Sequence, residues 1–271
     1  MSSHLKATPI DSSTSFLALE SDQGFPFELM FSTLVNAVSR TAVTIWDQEG
    51  TILLANPWVV QGYQKEHQNE VMGKNVKDFM PHNWAQERIE IANLAIERNE
   101  PITLLEIQSG HRLNARYIPI GFESGNRGNP CTMITIERIT RPAYNHLISE
   151  DHKEHTIHAQ HIGLGHLSIL SVRELEILAL MGEGLRTKDI AKRMHRSVST
   201  IENHRESIGH KLDIHDRSQL VALANYAVLR VDDAKRANVR FKYEQDDKES
   251  IQKLLAIHSS AEPCSSQCHT G

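Results

Sequence analysis

The sequence predicts an α+β N-terminal domain followed by an all-α C-terminal domain of four helices. Three observations carry this. Between residues 42 and 139 short β-prone runs occur in a two-then-three order around one helical stretch, and beyond residue 170 four segments show helical apolar spacing, each opened by a capping residue. At 271 residues the chain is also long enough for two domains.

Composition narrows the function classes. With 39% hydrophobic and 23% charged residues the chain matches a soluble globular protein. It contains no apolar run of the ~18 residues that a membrane span needs. The start, Met1-Ser2-Ser3-His4, lacks a basic region followed by an apolar stretch, so a cytoplasmic protein without membrane contact is expected. The three cysteines, Cys131, Cys264 and Cys268, make no disulfide framework, and Cys131 sits in an apolar run that suits a buried thiol. No phosphate-binding glycine loop, Gly-x-Ser-x-Gly or His-Glu-x-x-His is present, so the chain is read as a non-enzyme with no catalytic residues.

Residues 1–25 are rich in Ser and Thr and read as a flexible tail. Phe27-Glu-Leu-Met-Phe-Ser-Thr-Leu-Val has helical spacing. Ala42-Val-Thr-Ile-Trp46 and Thr51-Ile-Leu-Leu-Ala55, separated by Asp47-Gln-Glu-Gly50, read as a hairpin. A helix is expected over 83–98, stopped by Asn99-Glu100-Pro101, and strands over 102–107, 112–120 and 131–139, with a loop at 123–130.

Ile52-Leu-Leu-Ala-Asn56-Pro57, Val71-Met-Gly73-Lys-Asn-Val-Lys-Asp78-Phe79 and Met133-Ile-Thr-Ile-Glu-Arg-Ile-Thr140 resemble the PAS family over residues 26–141. The resemblance implies a five-stranded antiparallel sheet crossed by helices, serving to sense a small molecule or to form a dimer; an unrelated α+β domain is the alternative. The flavin-adduct cysteine of light-sensing members is replaced by Val76, and the helix over 83–98 has no histidine for haem, so no cofactor is required and its identity stays unknown. Trp46, Trp58, Tyr63, Phe79 and Trp84 are read first as core and second as a ligand pocket. Three consecutive strands argue against a phosphorylated receiver domain.

Residues 142–167, with His146, His152, His155, His158, His161 and His166, read as a helical, His-rich linker. Four of these histidines repeat every third residue, which drifts around a helix, and no carboxylate or cysteine completes a metal site. Residues 231–271 read as a tail, partly helical around 248–257 and then disordered, including Cys264, Cys268 and His269.

Ser171-Val-Arg-Glu174 is a capping box, and Leu175, Ile177, Leu178, Leu180 and Met181 give the first C-terminal helix its buried stripe. Thr187 is expected to cap a second helix over 188–194. Ser197 caps a third over Val198–Leu212, whose Ile201, His204, Ile208 and Leu212 share one face, and Asp216-Arg-Ser-Gln219 opens a fourth. A short turn before a helix with a polar outer face suits the DNA major groove.

Leu170-Ser-Val-Arg-Glu174, Gly184-Leu-Arg-Thr-Lys-Asp-Ile190-Ala191, Ser197-Val-Ser-Thr200-Ile201-Glu-Asn-His204-Arg and Ile208-Gly-His-Lys211-Leu212 resemble the LuxR/FixJ-type helix-turn-helix, over 168–230. The resemblance implies that Val198–Leu212 is the recognition helix and that the fourth helix contributes to a homodimer on double-stranded DNA, with RNA polymerase a further partner. Lys188, Ser199, Thr200, Glu202, Asn203, Arg205, Glu206, His210 and Lys211 are the expected DNA-facing residues, Arg205 and Lys211 on phosphates. Glu202 and Glu206 either read bases or pair with Arg205, His210 and solvent. The segment from Leu185 to Arg217 is net about +3 within a chain of net charge −5. A sequence-specific transcriptional regulator is the expected function; the alternative is a dimeric co-regulator whose helix-turn-helix contacts protein.

Overall fold

The computed structural model describes residues 41–120, 130–149 and 155–241. Strands β1 (Ala42–Asp47) and β2 (Ile52–Ala55) form the expected hairpin. Its turn closes through the Asp47 carboxylate, which accepts from the amides of Glu49 and Thr51, and through Gly50 at φ 86°. Asn56 is fully buried. It caps α1 (Pro57–Gly62) by accepting from the Val59 amide, while it also accepts from Val43 and donates to the Thr41 carbonyl.

Helix α2 (His82–Arg98) ends at Asn99 in the left-handed conformation, and Pro101 follows. Strands β3 (Ile102–Gln108), β4 (His111–Ile120) and β5 (Cys131–Arg138) complete an antiparallel set in the order β2-β1-β5-β4-β3. Thr44, Ile134, Tyr117 and Ile102 align across this sheet and face α2. Arg88 on α2 reaches the Glu106 carboxylate on β3 through Nε at 2.9 Å and Nη2 at 2.5 Å, and its guanidinium lies 4.1 Å from the Trp84 ring centre. Both ends of this ion pair are closed to water, so a matched partner is a condition of burying either charge.

The described part of the His-rich segment is not one continuous helix. After α3 (Arg141–Leu147), β6 (Thr156–His158) joins the sheet parallel to β3, and β7 (His161–Ile162) pairs with β8 (Ala237–Asn238). Glu87 of α2 holds this segment, accepting from the amides of Gln160 at 2.6 Å and His161 at 3.0 Å and lying 2.9 Å from His161 Nδ1. The histidines signalled a solvated surface, but Ala159 and Ile162 between them are buried. His152, the helical run from Phe27, the 123–130 loop except Pro130, and the helix and cysteines expected beyond 248 lie outside the described residues.

The C-terminal helices are α4 (Val172–Gly182), α5 (Thr187–Arg193), α6 (Val198–Leu212) and α7 (Arg217–Tyr226). Leu178, Ile190, Ile201, Ile208, Leu212 and Leu223 are buried among them. At Gly182 a Cβ atom would lie 2.7 Å from that of Ala224, so glycine permits the close contact of α4 with α7. Residues 231–241, expected in a loose tail, pack instead: Asp233 and Phe241 are buried, and Phe241 meets the Trp84 ring edge-on at 5.7 Å.

This packing joins the two parts of the chain. Arg112 of β4 forms a buried ion pair with Asp233 and donates to the Val228 carbonyl at 3.2 Å. Arg141 donates to the carbonyls of Ala224 and Leu229 and, at 2.7 Å, to Asn225 Oδ1. Among the described residues no helix is long and apolar enough to cross a membrane. Asp233→Ala leaves Arg112 charged and buried without its counter-ion. Urea denaturation should show a loss of about 3–5 kcal/mol, with Asp233→Asn intermediate.

Candidate nucleic-acid interface and cavity

Helix α6 is presented by its own sequence. Ser197 Oγ accepts from the Thr200 amide at 3.0 Å and contacts the Thr200 hydroxyl at 2.7 Å, which fixes the first turn after the tight link through His195. Ile201, Ile208 and Leu212 face inward; His204, expected with them, is half-buried. Ser199, Glu202, Asn203, Glu206 and His210 are all exposed and recur at helical spacing along the opposite face. Thr200 is half-buried within the cap.

Lys188 is exposed on the first turn of α5. That helix starts differently from expectation: Arg186, not Thr187, is its N-cap and no side chain caps it. Among the described residues, no ion pair engages Arg186, Lys188, Lys192 or Arg196, which are exposed on α5 and the turn leading to α6. Sequence reasoning named only Lys188 of these four; the excess of basic residues in this segment was the available signal. Arg205 is half-buried, its Nε lacks a hydrogen-bond partner among the described residues, and it borders a small cleft with His210, whose ring lies edge-on to His215 at 5.9 Å.

A second site lies between the sheet and helices α1 and α2, an open cavity of about 900 Å³. Trp46, Trp58 and Trp84, all of the tryptophans in the chain, line it with Tyr63, Tyr117 and Met80. Trp46 and Trp84 are therefore core and cavity wall at once, while Phe79 stacks on Tyr63 with ring centres 4.7 Å apart. The Trp84 indole N–H is buried and has no hydrogen-bond acceptor among the described residues. Among the described residues no group of three or more His, Cys, Asp or Glu side chains has the arrangement of a metal site.

The sequence profile of the bacterial regulatory proteins of the luxR family matches residues 168–224. Residues 168–224 are a LuxR-family helix-turn-helix domain. The same segment is 48% identical over 56 residues to the oxygen regulatory protein NreC of Staphylococcus haemolyticus, and the match covers 21% of this chain and 26% of that protein. The chain thus spans about a quarter of the length of the curated relatives it matches. Among solved structures, the VqmA–ligand–DNA complex of Vibrio cholerae is similar with 16% identity and a TM-score of 0.44, over 78% of this chain and 93% of that one. The PAS domain of the histidine kinase ThkA is similar with 24% identity and a TM-score of 0.30, over 36% of this chain and 97% of that one.

Within the LuxR-family domain the capping box does more than start α4. Glu174 accepts from the Ser171 amide at 2.7 Å, as its spacing predicts, and also from the Ser207 hydroxyl and the Lys211 ammonium of α6, each at 2.7 Å. Lys211, expected on phosphate, has this carboxylate as its partner in the structure described, with its side chain 40% exposed. Burial pushes the Glu174 carboxyl up, but Lys211, the Ser171 amide and the Ser207 and Ser171 hydroxyls outweigh it and hold the group at about 2.

An acid group held below its unfolded value stabilises the fold above that value and loses its contribution as pH falls. The domain should therefore weaken progressively from about pH 4.5 toward 2. Glu174→Gln should start less stable at neutral pH, by about 1–3 kcal/mol, and lose less over that window. Thermal melts at several pH values, followed by far-ultraviolet dichroism, check both statements.

Proposed function

We propose that the chain is a sequence-specific DNA-binding transcriptional regulator, in which a small-molecule sensor over about 26–141 controls a DNA reader over about 168–230. The observation that carries the reading is α6: its apolar side is anchored in the domain, and its outer side presents Ser199, Glu202, Asn203, Glu206 and His210 to solvent. One helix with such a face fills the major groove. The exposed Arg186, Lys188, Lys192 and Arg196 beside it would meet the phosphates, with Arg205 and Lys211 at the helix flank. The LuxR-family match over the same residues supports this assignment.

Asn203 has the donor and acceptor to read adenine, and Glu202 and Glu206 can accept from cytosine N4. Two carboxylates on the reading face repel phosphates, so the face selects more than it attracts, and a homodimer on a two-fold site supplies the missing affinity. In this reading the cavity, walled by Trp46, Trp58, Tyr63 and Trp84, takes a small molecule, and the protein works in the cytoplasm with RNA polymerase as a further partner.

A randomised duplex pool tests the reading. Full-length protein should enrich a roughly palindromic sequence, and its affinity should fall steeply with salt. Changing Lys188, Lys192 and Arg196 together to Ala should weaken all duplexes alike and lower the salt slope by about 2–3. Glu202→Ala should change the preferred base at one position of each half-site. The acidic face also fits a co-regulator that contacts protein; retention on duplex that is absent or independent of salt would favour that function and overturn DNA reading.

A further inference from the structure

Two side chains that line the mouth of the cavity also hold the reader domain. His111 of β4 and Arg138 of β5 both border the cavity. Tyr226, the last residue of α7, lies between them: the His111 ring meets its ring edge-on at 4.8 Å, and the Arg138 guanidinium sits 5.0 Å from its centre and donates to its phenol oxygen. Burial pushes His111 down to about 3, with Arg138 and His166 adding to the effect, so a neutral imidazole packs on Tyr226. Arg141 holds the same end of α7 through Asn225, Ala224 and Leu229, yet it does not border the cavity.

The end of α7 is therefore gripped from two directions, and one of the grips is also cavity wall. Inside the reader, the α4–α7 contact at Gly182 and the bonds from Glu174 to α6 join the helices into one body. A displacement at Tyr226 would be carried to α6 through these contacts.

We propose that Tyr226 is the contact through which the cavity and the LuxR-family domain are coupled, with His111 and Arg138 shared between them. A molecule that enters the cavity and engages Arg138 competes with the Tyr226 phenol, and a reader that leaves its seat frees both cavity-lining side chains. Coupling of this kind is reciprocal. The proposal rests on reading the cavity as the signal site, but its test needs neither ligand nor DNA.

Because every tryptophan borders the cavity, a change in the intrinsic tryptophan emission of the full-length chain, read against the wild-type baseline set by the 47% exposed Trp58, reports on packing around the cavity. Tyr226→Phe keeps the ring and removes the phenol acceptor; Tyr226→Ala removes both. Asn225→Ala loosens the same helix end on the Arg141 side and serves as the control. Acrylamide quenching of the tryptophans should rise in Tyr226→Phe and rise further, to about twofold, in Tyr226→Ala, with Asn225→Ala at the wild-type value. In the other direction, Arg138→Gln on the cavity side should speed amide exchange over 224–230 by about fivefold, the lower end of typical coupling.

Unchanged quenching in both Tyr226 variants, or an equal rise in Asn225→Ala, overturns the proposal. If Tyr226→Ala loses native helicity, Tyr226→Phe decides by itself. Loss of DNA binding by the wild-type chain would instead sink the regulator reading and leave these spectroscopic results untouched.

Discussion

Glu174 joins the beginning of α4 to the last turns of α6 from a position almost closed to water, and the presentation of the reading face follows from it. A carboxylate is buried at a cost of several kcal/mol unless its oxygens are filled. Here they receive an amide, a hydroxyl and an ammonium. Those partners come from two helices, so the requirement to satisfy one anion fixes the position of one helix relative to the other. The apolar contacts of Ile201, Ile208 and Leu212 supply cohesion, but they tolerate sliding more readily than a network with directional bonds.

The elements that were legible in the sequence are those whose causes are local. The capping residues Ser171, Ser197 and Asp216 lie within three positions of the amides they serve, and each caps its helix as expected. The hairpin, the long helix and the three later strands were readable from periodicity and from Gly50 and Pro101. Strand β6 was not, because three residues are too few to show alternation and its partner β3 lies some fifty residues earlier. The ion pairs Arg88–Glu106 and Arg112–Asp233, separated by 18 and 121 residues, have no local signature at all.

The outward face of α6 was legible for the same reason as the caps: one helix turn is a local repeat. What the helix does with its flanking charges was not. Lys211 lies near that face, but the Glu174 carboxylate it meets is 37 positions earlier. The aromatic residues of the N-terminal part posed a false choice between core and pocket wall, since Trp46 and Trp84 are almost fully buried and still border the cavity. A sheet that carries large rings on one face leaves gaps between them, and such gaps are where small molecules lodge.

The sixth strand has a practical side for anyone who would cut this protein into pieces. A fragment ending at residue 141 would have the antiparallel core but would strip β6 from the flank of β3, leaving a row of unpaired backbone donors and acceptors at the rim of the sheet. Such a rim invites pairing with a second molecule, so aggregates of such a fragment would report on the cut and not on the native assembly. The natural seam runs elsewhere: β7 is matched to β8 near residue 238, and Phe241 meets Trp84, so the sheet-bearing part is finished by residues that follow the four C-terminal helices in sequence. The two parts of the chain are thus folded through one another, and neither is a cassette that can be lifted out whole.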